Sequence, residues 1–279
     1  MENLLVVGSG LMGGGIALAS AKAGYKVIVV ERSREDLERG FALMEKMLAS
    51  MIKKGTWTKE EADEAWDNLR GSIQLEDGKH VDLVIEAVPE KLSLKQDIFR
   101  KLDRLINKEA IFATNTSSLS IAAIAEVTER PDKVVGMHFF SPVPVMKLLE
   151  LVSSLSTSED TMNKIQSVGD RLGKKTIIAK DYPGFIVNRL LLPMLNEAAF
   201  LIMEGNEPEE IDRGMLLGAN HPLGPLKLAD YIGLDVLLFT MESLYEGFND
   251  PKYRPCPLLK RMVEAGWLGK KAGRGFYIY

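Results

Sequence analysis

Short apolar runs alternate with helical patterns through the first half of the chain. The runs are Leu4–Val7, Val27–Val30, Leu83–Ile85, Ile111–Ala113 and Val134–Met137. They lack the polar alternation of a strand with one face in water, so the pattern predicts strands buried in a parallel sheet. Helical segments between successive strands give repeated βαβ units. We therefore predict an α/β fold with a doubly wound parallel sheet.

A helical hairpin interrupts this alternation at about residues 33–70. Ser33 followed by Asp36 is a capping-box pattern that predicts the start of a long helix. Lys53-Lys54-Gly55 ends that helix with basic residues and a glycine, as helix C-termini prefer. Thr58 then begins a second, shorter helix. We predict an arm inserted between strands, suited to contact with a ligand or a partner.

The second half of the chain is mainly helical. Asp181-Tyr182-Pro183-Gly184 is a turn signal and predicts a domain boundary, with residues 1–183 before it and residues 184–279 after it. The predicted helices are Phe185–Glu204, in which Pro193 should introduce a bend, Glu209–Leu217, Leu234–Tyr245 and Leu258–Ala265. Their apolar faces exceed what one small bundle needs, which indicates a further buried interface and hence a homodimer.

Composition narrows the class of protein. Hydrophobic residues make up 46% and charged residues 27% of the chain, as in ordinary globular proteins. A net charge of −4 argues against a non-specific nucleic-acid binder. A single cysteine, Cys256, rules out an intrachain disulfide and a cysteine-based metal cluster, and we expect no metal site. With no signal peptide and no membrane-length apolar run, we expect a cytoplasmic protein.

A glycine-rich loop follows the first strand and opens a helix. It reads Gly8-Ser9-Gly10-Leu11-Met12-Gly13. Its three glycines would make the tight turn, admit a pyrophosphate to the backbone and let helix and strand pack closely. Glu31 ends the second strand, where a carboxylate would bind the adenosine ribose and favour NAD. Arg32 and Arg34 leave NADP open, because a guanidinium could hold its 2′-phosphate.

His138 is the main candidate for chemistry. It ends the fifth apolar run, at the end of a parallel strand where ligands bind in such sheets. Glu150 could accept a hydrogen bond from one ring nitrogen and fix the tautomer, while the other nitrogen handles a substrate proton. The alternative is that His138 is a buried histidine hydrogen-bonded only to the backbone and that Glu150 lies on the surface. We expect His80 and His221 to be buried histidines of that kind.

Polar residues after the fourth strand add a hydroxyl group. Ser118 is expected to cap a helix over Leu119–Val127, whereas Ser117 could hydrogen-bond a reacting oxygen. Asn188, at the start of the long helix, could close the site from the second domain or could face water.

These residues resemble a known family over nearly the whole chain. Met137–Glu150 and Pro183–Arg189 are the most specific stretches, and the chain resembles the L-3-hydroxyacyl-CoA dehydrogenases, closest to the short bacterial 3-hydroxybutyryl-CoA group. The resemblance implies a Rossmann domain, a helical dimerisation domain and an active site in the cleft between them. It implies reversible hydride transfer between NAD(P) and a short-chain L-3-hydroxyacyl-CoA, converting acetoacetyl-CoA to 3-hydroxybutanoyl-CoA.

The resemblance also implies roles at matching positions. His138 would be the base in alcohol oxidation and the acid in ketone reduction, oriented by Glu150. Ser117 and Asn188 would bind the 3-oxygen and the acyl region of the substrate. The other implied contacts are the cofactor contacts Glu90, Lys95, Asn115 and Lys271, and Lys54 at the CoA phosphate.

The chain departs from the family pattern in three places. Glu31 replaces the usual aspartate of the second strand, a further basic residue that is common near Ser50 in related bacterial sequences is missing, and Ser141 replaces an asparagine before Pro142. The first change alters the reach of the ribose contact, and the second leaves the details of CoA phosphate binding open.

Two other functions stay open at this stage. One is a dehydrogenase of a free hydroxy acid or sugar acid, against which Lys54 on the arm argues. The other is a nucleotide-binding protein without turnover, against which the joint presence of Ser117, His138, Glu150 and Asn188 argues.

Overall fold

A computed structural model describes all residues, 1–279, and the chain forms two compact units, Met1–Asp181 and Tyr182–Tyr279. The strands of the first unit are β1 (Asn3–Val7), β2 (Lys26–Val30), β3 (Leu69–Ser72), β4 (Leu83–Glu86), β5 (Ile111–Thr114), β6 (Val134–Phe139), β7 (Leu148–Ser153) and β8 (Lys175–Lys180). They form one sheet in the order β3-β2-β1-β4-β5-β6-β7-β8. The doubly wound sheet predicted from the sequence is confirmed.

One strand pair departs from the parallel arrangement. β6 and β7 are antiparallel, whereas β7 and β8 are parallel, as are the pairs from β3 to β6. The strands β3, β7 and β8 were not predicted. β3 contains Arg70 and Gly71 and so has no apolar run, and β7 carries Glu150 at a fully buried position within its apolar run.

The helices of the first unit are α1 (Leu11–Lys22), α2 (Arg34–Lys53), α3 (Lys59–Asp67), α4 (Leu92–Leu105), α5 (Ile121–Ala125) and α6 (Glu159–Arg171). The predicted arm forms as α2 and α3. Ser33 caps α2 by accepting a hydrogen bond from the Asp36 amide at 3.1 Å. Thr58 and Glu61 form a complete capping box at the start of α3. The arm is therefore encoded locally, by residues at the ends of its helices.

The core of the first unit lies between the sheet and α1. Leu4 and Val6 of β1, Ile16 and Leu18 of α1, and Ile85 of β4 are all fully buried in one apolar cluster. Burying side chains of this size stabilises the fold by roughly 1.5–3 kcal/mol each. This packing holds the start of α1, and with it the glycine-rich loop, against the sheet.

The second unit consists of helices, as predicted. They are α7 (Val187–Met203), α8 (Pro208–Gly218), α9 (Pro225–Ile232), α10 (Leu234–Phe248) and α11 (Pro257–Glu264). α9 was not predicted. The core of the second unit is built from Leu195, Leu237, Met241 and Leu259, which are fully buried. No helix in the chain is both long and apolar enough to span a membrane.

Candidate active site

The glycine-rich loop has the geometry expected of a phosphate cradle. Gly8 has a φ of +98°, and a Cβ there would lie 2.8 Å from the carbonyl oxygen of Ala87. A Cβ on Gly13 would lie only 2.0 Å from the carbonyl oxygen of Gly8. By contrast, a Cβ on Gly10 would meet no atom within 4 Å. Gly8 and Gly13 are therefore required by the protein's own packing, while Gly10 leaves the helix N-terminus open to a ligand.

Leu11 and Met12 are the first residues of α1 and lie at this open end. The amide groups of a first helical turn have no partner within the helix, and the helix dipole makes this end attractive to anions. The loop therefore fits the pyrophosphate of a dinucleotide.

Glu31 turns towards the glycine-rich loop. Its Oε1 accepts hydrogen bonds from the amide of Ser9 at 2.6 Å and from the Ser9 hydroxyl at 2.9 Å. Its Oε2 accepts a longer bond of 3.3 Å from the amide of Arg32. Three donors fix the carboxylate at the end of β2, where the adenosine ribose is expected.

Two arginines follow Glu31 in the sequence, of which Arg32 pairs with Asp36 and Arg34 is exposed. Arg32 Nε donates to Asp36 Oδ2 at 2.7 Å, and Arg39 also pairs with Asp36. The hydrogen bond from Arg32 is the main reason that the pKa of Asp36 is well below its ordinary value. Arg32 is thus held along the first turn of α2, and Arg34 is exposed.

His138 and Glu150 lie directly opposite each other on antiparallel strands β6 and β7. The Nδ1 atom of His138 lies 2.6 Å from Oε2 of Glu150, Glu150 is fully buried, and His138 is 6% exposed. The hairpin of β6 and β7 brings these two residues together, although they are twelve positions apart in the sequence. Of the other histidines, His80 is exposed and His221 is half-buried, so the prediction that they are buried was wrong.

Asn115 connects the end of β5 to the end of β6. Its Oδ1 atom accepts a hydrogen bond of 3.0 Å from the amide of Phe139, the residue after His138. The polar segment after β5 is therefore held next to the histidine, at the edge of the sheet where the parallel strands end.

Glu90 organises the loop that carries Ser117. Its Oε1 atom accepts hydrogen bonds from the Thr116 hydroxyl at 2.5 Å and from the amides of Ser117 at 2.9 Å and Ser118 at 3.2 Å. Burial would raise the pKa of Glu90, but the charge of Lys95 and these donors lower it below its ordinary value. Glu90 is thus held as a carboxylate under the loop.

The helix after this loop begins later than predicted. It spans Ile121–Ala125 rather than Leu119–Val127, and Ser120 caps it by accepting a hydrogen bond from the amide of Ala123. The prediction that Ser118 is the cap was therefore wrong. The amide of Ser118 donates a hydrogen bond to Glu90, and Ser118 lies in the loop before the helix.

Lys95 lies in the protein interior, on α4. Its ammonium donates to both oxygens of the fully buried Glu86, at 2.8 and 3.0 Å, and lies 3.3 Å from Oε2 of Glu90. The hydroxyl of Thr114 donates to Glu86 at 2.7 Å. A buried charge pair of this kind persists only when hydrogen bonds satisfy the remaining polar atoms, as they do here. Lys95 thus holds Glu90 in place through this ion pair.

A cavity of about 290 Å³ opens beside the arm. Its walls are the start of α1, one face of α2 and the residues after β6; the lysines Lys46 and Lys54 and the serine Ser50 line it. These three residues recur every four positions, which places them on one face of the helix. Lys54 was predicted to contact a phosphate, whereas Lys46 was not predicted. The spacing of four residues from Lys54 to Ser50 and from Ser50 to Lys46 could have indicated it, because such residues share a helix face.

Asn188 and Lys271 belong to the second unit. Asn188 is half-buried in the first turn of α7. Lys271 is exposed and pairs with Asp235, with Nζ–Oδ1 and Nζ–Oδ2 distances of 2.6 and 2.7 Å. Their predicted contacts with the substrate and the cofactor stay predictions.

The two units together define a class of protein, a dinucleotide-binding dehydrogenase with a helical second domain. Residues 3–182 match the family model "3-hydroxyacyl-CoA dehydrogenase, NAD binding domain", and residues 184–279 match the model of its C-terminal domain. The chain belongs to the 3-hydroxyacyl-CoA dehydrogenase family, as the resemblance predicted, and is an oxidoreductase.

Relatives match the chain from end to end. A probable 3-hydroxybutyryl-CoA dehydrogenase of Bacillus subtilis is 48% identical, covering 100% of this chain and 98% of the relative. The 3-hydroxybutyryl-CoA dehydrogenase of Clostridioides difficile is 46% identical, covering 99% of each. The crystal structure of (S)-3-hydroxybutyryl-CoA dehydrogenase from Ralstonia eutropha has a TM-score of 0.95 and 47% identity, covering 100% of this chain and 99% of that one.

Proposed function

We propose that this enzyme transfers a hydride reversibly between NAD and a short-chain L-3-hydroxyacyl-CoA, interconverting 3-hydroxybutanoyl-CoA and acetoacetyl-CoA. The buried pairing of His138 with Glu150, in a chain of this family, is the observation that carries the proposal. NAD, when bound, supplies the acceptor for the hydride that leaves C3 of the hydroxyacyl group. This reaction belongs to fatty-acid or butyrate metabolism.

His138 would move the proton that accompanies the hydride. In the oxidation direction the C3 hydroxyl loses its proton to the imidazole as the carbon–oxygen double bond forms. In the reduction direction the imidazolium returns a proton to the 3-oxygen. Glu150 would hold the ring through Nδ1 and stabilise the positive charge that the ring acquires. Ser117 and Asn188 would hydrogen-bond the 3-oxygen and the acyl region.

The arm cavity would hold part of the CoA moiety. Lys46 and Lys54 would supply positive charge for a phosphate group, and Leu43, Met47 and Met51 would supply apolar surface beside it. Lysine binds phosphate as a compact point charge, so two lysines on one helix face suit a ligand with several phosphates. A free hydroxy acid has no group for these lysines, which favours the thioester as substrate.

The experiment that tests the function is loss of NADH with acetoacetyl-CoA and, separately, with free acetoacetate. We expect turnover with the thioester only, and competition by free CoA. Turnover of acetoacetate alone would replace the proposal with the hydroxy-acid alternative. No turnover with either substrate, by protein that binds NADH in a fluorescence titration, would favour a nucleotide-binding protein without this activity.

We also propose a preference for NAD over NADP. Glu31 would accept hydrogen bonds from the ribose hydroxyls and repel a 2′-phosphate. Arg32, the nearest guanidinium in sequence, is engaged by Asp36. Other cofactor contacts would come from the glycine-rich loop and from Glu90, Lys95, Asn115 and Lys271, with Glu90 and Lys95 acting through the loop that they support.

Replacing Glu31 with alanine should shift cofactor selectivity towards NADPH. A hydrogen bond to a charged group contributes roughly 1.5–3 kcal/mol, so we expect the ratio of kcat/KM for NADH to that for NADPH to fall about 10-fold or more. Steady-state kinetics with each cofactor measures this ratio. The control is Ser9→Ala, which removes one donor to Glu31 but keeps the carboxylate. An unchanged ratio in Glu31→Ala would contradict the ribose role.

We further propose that the enzyme is a cytoplasmic homodimer formed through the second unit. Leu190 is 72% exposed, Leu217 77% and Ile278 82%, an unusual exposure for large apolar side chains. Removing such side chains from water on association would stabilise a dimer by roughly 25 cal/mol per Å² of apolar surface. Light scattering should therefore give twice the mass of one chain.

A further inference from the structure

Lys174 is a buried cation to which the proposed chemistry gives no role. It lies between α6 and β8, and only 7% of the residue is exposed. Its Nζ atom donates hydrogen bonds to the main-chain oxygen of Met146, at 2.7 Å, and to that of Val143. Burial lowers its pKa below the ordinary value of a lysine, and no carboxylate offsets that effect.

The two carbonyl groups belong to the segment that joins the candidate dyad. Residues 140–147 leave β6 just after His138 and enter β7 just before Glu150. The ends of this segment are fixed by backbone pairing, because Phe139 pairs with Leu149 and the amide of Lys175 donates to the oxygen of Lys147 at 2.7 Å. The middle of the segment has no strand partner, and Lys174 reaches it from the other side of β7.

The middle of the segment also forms a wall of the arm cavity. Val143, Pro144 and Val145 line it, opposite the lysine-bearing face of α2. Val143 packs tightly on the first turns of α1, since a Cβ added to Gly15 would lie 3.0 Å from the Val143 Cβ. A small displacement of the segment would therefore change the shape of the cavity.

We propose that Lys174 is a positioning residue for acyl-CoA binding. Its ammonium holds the main chain of residues 143–146, so that the cavity wall has its binding shape before the substrate arrives. The inference rests on the proposed function, which assigns the cavity to part of the CoA moiety. Because the strand ladder holds His138 opposite Glu150 independently of this segment, Lys174 acts on substrate affinity and leaves the proton-transfer step in place.

The test is the variant Lys174→Met, which keeps a long apolar stem and removes the donors. Hydrogen bonds to charged groups are strong, so we expect the KM for acetoacetyl-CoA to rise about 10-fold, with kcat within about twofold of the wild-type value. Lys174→Arg, which keeps charge and donors, should recover part of the loss. The matched control is Lys175→Met, the same substitution at the exposed neighbouring position, which should leave KM unchanged.

Hydrogen exchange in the free protein separates this role from general stabilisation. In the native segment the amides of Val145 and Met146 both donate to the oxygen of Pro142 at 3.0 Å. Lys174→Met should speed their exchange while amides of β6 and β7 keep their protection. Uniformly faster exchange across the unit, or an unchanged KM with unchanged exchange at Val145 and Met146, would overturn the proposal.

Two further outcomes are distinguishable. If Lys174→Met does not fold, the same measurements on Lys174→Gln, which removes the charge and shortens the reach of the donors, test the proposal. A smaller rise in KM with faster exchange at Val145 and Met146 is expected, and the absence of both changes would overturn it. If the wild-type enzyme does not use acetoacetyl-CoA, the proposed function fails. The exchange measurement would then still report whether Lys174 holds residues 143–146, whereas its role in acyl-CoA binding would be overturned.

Discussion

Replacing His138 with glutamine should lower kcat by about 10²–10⁴-fold, the usual contribution of a positioned acid–base group. Glutamine has polar atoms in a side chain of similar reach, but it cannot exchange a proton at neutral pH. The ring is nearly enclosed and paired with Glu150 at 2.6 Å, so a substitution that keeps polarity should leave the surrounding packing in place. NADH oxidation with acetoacetyl-CoA measures the loss, and fluorescence titration should show unchanged NADH binding.

His80→Gln is the matched control for this variant. It makes the same chemical change at an exposed histidine, and turnover should be unaltered. Turnover of His138→Gln close to that of the wild type would refute the proposed mechanism. A loss of NADH binding equal to the loss of turnover would instead assign His138 to the cofactor site.

Features encoded within a few residues could be predicted from the sequence. The buried strands β1, β2, β4, β5 and β6 show as apolar runs, and the ends of the arm helices show as capping residues such as Ser33 and Thr58. The glycine-rich loop is equally local, because close backbone approaches at Gly8 and Gly13 allow no side chain. In each case the signal and the structure it specifies lie in the same short stretch of chain.

Features that depend on tertiary partners could not be predicted in this way. Ser118 has the composition of a helix cap, but Glu90, distant in sequence, takes its amide, and Ser120 caps the helix instead. β7 was missed because Glu150 interrupts its apolar run, and this side chain is buried against His138 of the neighbouring strand. In the sequence nothing distinguishes Lys174 from the surface lysines. Only the folded chain shows that its ammonium is buried against main-chain oxygens.

Replacing Glu150 with glutamine should also lower kcat by about 10²–10⁴-fold, because we propose that this carboxylate is a positioning residue that acts through His138. A buried carboxylate can only accept a hydrogen bond, so in this proposal it would hold the proton on Nδ1 and favour the charged ring that forms during oxidation. A glutamine amide can instead donate to Nδ1 and stabilise the wrong tautomer. In the Ser-His-Asp enzymes, replacing the equivalent carboxylate with an amide costs about 10⁴-fold.

The double variant distinguishes action through His138 from an independent role. Residues that work as a unit show non-additive losses, so Glu150→Gln should cost little more once His138 is already glutamine. The measurement is kcat for the wild type, the two single variants and the double variant, with NADH titration of each. Equal fold-losses in the two backgrounds would show that Glu150 acts without the histidine. A small loss in the His138→Gln background would mean that the carboxylate matters for turnover because it orients and charges that ring.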